Sequence, residues 1–262
     1  MKVSDVAAAL EEFVPLVWQE EYDNAGLTVG DPDAEITKVL IALDATEEVI
    51  DEAVAAGAGM VVSHHPAIFG AQKRLIGANH EQRIAAKALR CGVALYGCHT
   101  NLDATPTEGI SHRLGRMFGL RETAVLEPSA IDPKVGIGIV GSLDEPMETI
   151  RFLRRVKSVL NIEVLRHSQI ATQKVCRVAV CSGSGGSLIE RAAMAGAELY
   201  LAGDFRYHDY LALDGRMTIA DIGHFESEIC AIDILFEILS KKIPTFALQK
   251  SMRSVNPIDS LI

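Results

Sequence analysis

Two consecutive histidines, His64 and His65, close an apolar run, Gly59-Met-Val-Val-Ser63, and lead straight into Pro66. A strand so apolar reads as a central parallel strand, and ligands of open α/β sheets gather just beyond the carboxyl ends of such strands. Pro66 disfavours helical backbone at His65 and holds the pair in an extended turn. The client for two imidazoles fixed in this way is a metal ion.

Two further clusters have the same setting. His99-Thr-Asn-Leu-Asp103 follows the strand pattern Val93 to Gly97, and His224-Phe-Glu-Ser-Glu228 opens a helix after the strand pattern Met217 to Ile222. On that helix His224 and Glu228 are four apart and share a face, whereas Glu226 points nearly opposite. Strand ends thus deliver His64, His65, Asp103, His224 and Glu228 toward one edge. Imidazole with carboxylate suits zinc, manganese, iron or nickel, and a carboxylate can bridge two ions while adjacent imidazoles cap one each. This is more than one tetrahedral ion takes, so two divalent transition-metal ions are expected. Their chemistry is hydrolysis, through an acidified water and a polarised carbonyl or phosphoryl oxygen, with His99 or His208 as general acid or base.

Other residues carry weaker signals. His80, His112 and His167 read as structural histidines, and the five cysteines as reduced core residues, Cys98 included although it precedes His99. Ser182-Gly-Ser-Gly-Gly-Ser187 joins a strand to a helix and reads equally as a phosphate cradle or a flexible turn, since it lacks a P-loop lysine. Asp204, in Gly203-Asp-Phe-Arg-Tyr-His-Asp209, is a pocket residue or a helix N-cap, with His208 on the following turn.

The elements that must position these groups alternate between strand and helix, the signature of α/β architecture. Helices are expected near 3–13, 46–56, 80–90, 108–117, 147–160, 187–195 and 225–240. Strands are expected at 36–43, 59–63, 93–97, 135–140, 163–167, 175–181, 199–202, 217–222 and 245–249. Trp18 to Gly30 reads as irregular. The Pro- and Gly-marked stretch from Glu127 to Pro133 reads as a domain crossing. Ala56-Gly-Ala58 before the His-His strand echoes Ala195-Gly-Ala197 before Leu199 to Gly203, a hint of related units.

The chain has 262 residues and a net charge of −10, and its longest basic stretch is the helix face from Arg151 to Lys157. That composition argues against a nucleic-acid partner. No run of about 18 apolar residues appears, and acids occupy the amino-terminal stretch where a signal peptide needs an apolar core. A soluble cytoplasmic protein with a small-molecule substrate and no membrane partner is expected.

Trp18 with Asp23-Asn24-Ala-Gly26-Leu27, Ser63-His-His-Pro66, His99-Thr-Asn-Leu-Asp103, Gly203-Asp204 with His208, Gly223-His224 with Ser227-Glu228, and Asn256-Pro257 together resemble the GTP cyclohydrolase 1 type 2 family, also called the Nif-three-like family. The resemblance implies a two-lobed fold, each lobe a mixed sheet flanked by helices, with a dinuclear metal site between the lobes. It also implies a ring-shaped homohexamer, a trimer of dimers. Carried across, His64, His65, Asp103, His224 and Glu228 are the ligands, Glu228 bridging, and His99 and His208 line the site. Lobe 1 is expected to comprise residues 1–125 and 224–262, and lobe 2 residues 126–223, without the inserted domain of many relatives. One departure is visible: many relatives show His-His where this chain has His208-Asp209. The implied activity is metal-dependent hydrolysis of a nucleotide or related heterocycle or phosphoester. The alternative is a non-catalytic metal-binding or metallochaperone-like hexameric scaffold.

Overall fold

Residues 1–213 and 215–261 are described by the computed structural model; along them helix α1 (Val3–Glu11) precedes strands β1 (Gly26–Val29) and β2 (Lys38–Ala42). Helix α2 (Glu47–Ala56), strand β3 (Met60–Ser63), helix α3 (His80–Cys91) and strand β4 (Ala94–Gly97) continue the alternation. Next come α4 (Thr100–Asp103), α5 (Ile110–Phe118), β5 (Arg121–Pro128), β6 (Gly136–Glu148), α6 (Thr149–Val159), β7 (Arg166–His167) and β8 (Lys174–Ser184). The last third holds α7 (Ile189–Met194), β9 (Leu199–Gly203), α8 (Tyr207–Ala212), β10 (Thr218–Asp221), α9 (His224–Glu228), α10 (Ala231–Lys242) and β11 (Ala247–Lys250).

Residues Met1–Leu102 and Ala231–Val255 form one unit, whose sheet has the order β1-β4-β3-β2-β11. Strands β4, β3, β2 and β11 run parallel and β1 is antiparallel to β4. All four residues of β3 are buried, as a central parallel strand requires. Helix α2 is started by Thr46, whose hydroxyl accepts from Val49 N, and ended by Gly57 in left-handed conformation at φ +69°. Its buried Val49, Ile50 and Ala53 pack with Leu40, Val61 and Leu95 of the sheet. Each of the valine, isoleucine and leucine side chains contributes about 1.5 to 3 kcal/mol on burial.

Residues Asp103–Cys230 and Asn256–Ile262 form the other unit, with strand order β5-β6-β8-β9-β10-β7. Strands β8, β9 and β10 are parallel, while β5, β6 and β7 join antiparallel. One face carries Leu114, Phe118, Phe152 and Val156 from α5 and α6, and the other carries Leu188, Ile189 and Ala192 beneath Tyr200 and Ile219. Both faces are thus covered, as parallel strands demand. The echo between the units has a structural counterpart. Gly57 and Gly196 both close helices at positive φ, and β3 and β9 each lie between two parallel neighbours.

Several expectations are corrected. The segment from Trp18 to Gly30 contains β1, four residues too short for a periodic signal. Strand β5 was not anticipated because it is exposed along most of its length and lacks apolar alternation. The expected strand at 163–167 contracts to two residues. The stretch from Glu127 to Pro133 turns from β5 into β6 within the second unit, since a hairpin turn and a linker share the same composition. The chain instead passes between units after Leu102, Cys230 and Val255. The long helix expected at 225–240 is two helices, α9 and α10. Within α9 the Ser227 hydroxyl donates to the His224 carbonyl at 2.8 Å.

Candidate metal centre

In the first unit, β2, β3 and β4 end side by side, and the residues just beyond them are Asp44, His64 with His65, and Cys98 with His99. The backbone ladder continues into the pair, with His64 N donating to Ala42 O at 3.3 Å and His65 N to Leu43 O at 3.0 Å. The Ser63 hydroxyl donates to His65 O at 2.7 Å and tightens the turn. One nitrogen from each of His64, His65 and His99 lies within 4.8 Å of the others, the reach of a shared ion.

What each ring does with its Nδ1 decides its use. His64 Nδ1 donates to Cys98 O at 2.8 Å, His65 Nδ1 to Asp44 Oδ1 at 2.7 Å, and His99 Nδ1 to Asp23 Oδ1 at 2.8 Å. A proton committed at Nδ1 leaves the lone pair of a neutral ring on Nε2, the arrangement that orients metal-bound histidines. Asp23 has no exposed side-chain surface. Burial pushes its carboxyl up, but hydrogen bonds from His99 and from the Thr100 hydroxyl and amide prevail and hold it at about 2.

In the second unit the parallel trio β8, β9 and β10 likewise ends together, beside Ser182 and Gly183, Asp204, and His224 on α9. His224 Nδ1 donates to Asp204 Oδ2 at 2.8 Å, repeating the Nδ1 arrangement a fourth time. Its Nε2 donates to Glu228 Oε2 at 3.0 Å. That bond, opposed by burial and helped by Asp204, raises the His224 pKa to about 9. A proton therefore occupies the place where a cation would link the two side chains.

Glu228 is 4 % exposed and Asp103 8 %, both anchored around the end of β8. The Ser182 hydroxyl donates to Asp103 Oδ1 at 2.9 Å. Gly183 N donates to the Ser227 hydroxyl at 2.9 Å, fixing the first turn of α9. Gly183 has φ +59°, and a Cβ there would overlap Glu228 Oε1 and lie 3.0 Å from its Cδ. Glycine is needed both for the left-handed backbone and for the space the carboxylate fills. The Gly-rich loop thus cradles Glu228. Its Gly185 amide is likewise taken, by Gly203 O at 3.3 Å. The imidazole and carboxylate donors here fit a borderline divalent ion.

Glu226 points away, as the helix period requires, and accepts from Asn256 Nδ2 at 2.9 Å. Asp204 is no N-cap: Arg206 holds that position on α8, and its amide donates to Asp209 Oδ2 at 2.7 Å. Asp209 therefore caps a helix. His208 is exposed on α8 with its ring 5.4 Å from that of Tyr207. Asp44 and the Cys98 carbonyl gave no sequence signal as partners of the histidines. Cys98 itself is fully buried with its thiol pKa pushed up by burial, which agrees with a packing role.

A protein of Clostridium perfringens described as a GTP cyclohydrolase 1 type 2 homolog is 34% identical over 231 residues, spanning 87% of each chain. A homolog of the same description from Clostridium acetobutylicum is 32% identical over 93% of this chain and 90% of its own. The crystal structure of a hypothetical protein of Staphylococcus aureus matches with TM-score 0.90 at 27% identity, covering 100% of this chain and 99% of that one. A Bacillus cereus protein related to NIF3 shares the fold at TM-score 0.90 and 23% identity. The model of the family described as Duf34/NIF3 (NGG1p interacting factor 3) matches residues 1–257, and with relatives above 30% identity over most of their length, the chain belongs to that family.

Proposed function

We propose that this chain holds two divalent transition-metal ions, zinc, iron, manganese or nickel, through His64, His65, Asp103, His224 and Glu228, with Glu228 bridging. The proposed activity is hydrolysis of a nucleotide or a related heterocycle or phosphoester, by a cytoplasmic homohexameric ring. The observation that carries it is the four-fold repetition of one device, in which His64, His65, His99 and His224 each commit Nδ1 to an oxygen acceptor. In each, a proton held at Nδ1 would leave Nε2 for a cation or for proton transfer.

Bound there, the metal pair supplies an acidified water and an electrophile for a carbonyl or phosphoryl oxygen. The chain's own residues do the rest. Asp44 and Asp204 orient His65 and His224, and Gly183 holds the Glu228 carboxylate in place. His99, oriented by an Asp23 that stays anionic near neutral pH, is the group that takes a proton from water or returns one to the leaving atom. His208 is the second candidate for that role. The relatives named as GTP cyclohydrolase 1 type 2 homologs support the substrate class.

The test is metal analysis of protein reconstituted with each ion, followed by a substrate panel of GTP, other nucleotides, phosphodiesters and cyclic amides. About two equivalents per chain are expected, and fewer than about one overturns the dinuclear centre. If the loaded protein turns over none of the panel while His65→Ala still assembles, the hydrolase proposal fails.

A further inference from the structure

The basic helix α6 has no part in the metal chemistry, and its surroundings form a groove. Ile150, Leu153, Arg154 and Lys157 of α6 face Leu165 and His167, at the strand β7, across a cleft of about 170 Å³. Strand β7 is the last strand of its sheet, paired on one side with β10. An edge strand presents unpaired backbone groups as a template for another chain. The floor is apolar and the rim is cationic.

The charge pattern selects the occupant. Between Thr149 and Gln173 the sequence has five lysines and arginines and a single acid, Glu163, in a chain of net charge −10. Arg166 is spent on Asp221 at 2.6 Å. Arg151, Arg154, Arg155 and Lys157 are exposed and enter no ion pair among the described residues. Arg155 lies over Gly119 and so leaves the groove to Arg154 and Lys157. The cleft has room for one apolar side chain.

We infer that the groove between α6 and β7 binds an extended, acidic peptide segment of a partner protein, with one apolar side chain in the cleft, carboxylates on Arg154 and Lys157, and main chain along β7. Edge-strand addition supplies affinity through backbone hydrogen bonds, and the pocket and charges supply choice of sequence. The inference is independent of the metal centre.

The probe is a fluorescein-labelled nonapeptide in which a central leucine is flanked by alternating glutamates and valines, titrated with the full chain and followed by anisotropy. Saturable binding is expected, weakened at least about tenfold by R154E with K157E, and similarly when the peptide glutamates are replaced by glutamine. Thermal melting and metal content of the double variant should match the parent, because both side chains are exposed and unpaired. Binding that survives the charge reversal, or absence of saturable binding at low salt, overturns the proposal. So does tighter binding of an oligothymidylate or of vesicles containing one quarter phosphatidylglycerol than of the peptide.

Discussion

Gly183→Ala is the perturbation that most directly tests how the fold builds the metal site. At φ +59° an alanine pays about 1 to 2 kcal/mol for left-handed backbone. The new Cβ would overlap Glu228 Oε1 and lie 3.0 Å from its Cδ, so the carboxylate must retreat by more than about 1 Å to reach ordinary contact. Gly57→Ala isolates the first effect, since Gly57 has φ +69° with nothing within 4 Å of the added atom. Both variants should melt about 2 to 8 °C below the parent in metal-free protein. Only Gly183→Ala should lose metal affinity, by about tenfold to a hundredfold, comparable to loss of a group that orients a ligand. The assay is competition with a chromophoric chelator. Equal affinity in the two variants refutes the cradle, and equal affinity with an unmoved melting temperature in Gly183→Ala refutes the strain argument as well.

Three other outcomes follow from the same geometry. Asp44→Asn and Asp204→Asn, at side chains 43% and 50% exposed, should leave stability within about 0.5 kcal/mol of the parent while lowering metal affinity about 10- to 100-fold, measured by chelator competition and melting. Ser227→Ala strips the acceptor from the buried Gly183 amide and should cost about 1 to 3 kcal/mol in denaturant unfolding. Asp23, held at about 2 against an ordinary 3.8, contributes about 2 kcal/mol. Its pKa is lowered by folding, so that stability is present above about pH 4 and lost as pH falls through about 2. Unfolding free energies of the parent and Asp23→Asn should therefore converge between pH 5 and pH 2, and parallel curves would refute the assignment.

Much of the fold was legible because buried parallel strands announce themselves. The runs at 59–63, 175–181 and 199–202 are largely apolar on both faces, and each appears as a strand paired in parallel with a neighbour. Strands without that burial escaped notice, as β1 and β5 did. The break between α9 and α10 was hidden because an apolar helical period runs through it. His64, His65 and His99 were legible as a group because each follows a strand end. Asp44 was not, because its partner His65 is 21 residues away and only the adjacency of β2 and β3 joins them.

By itself the sequence determined the donor types and their stations: imidazoles and carboxylates just past apolar strands, with His224 and Glu228 one helical turn apart. These are local facts, governed by burial periodicity and by the helix repeat. The tertiary structure alone decided which nitrogen each histidine keeps for a ligand, and why residue 183 must be glycine. Those depend on acceptors and carboxylates that sheet order brings from 20 to 76 residues away, a separation at which no sequence pattern carries information about distance.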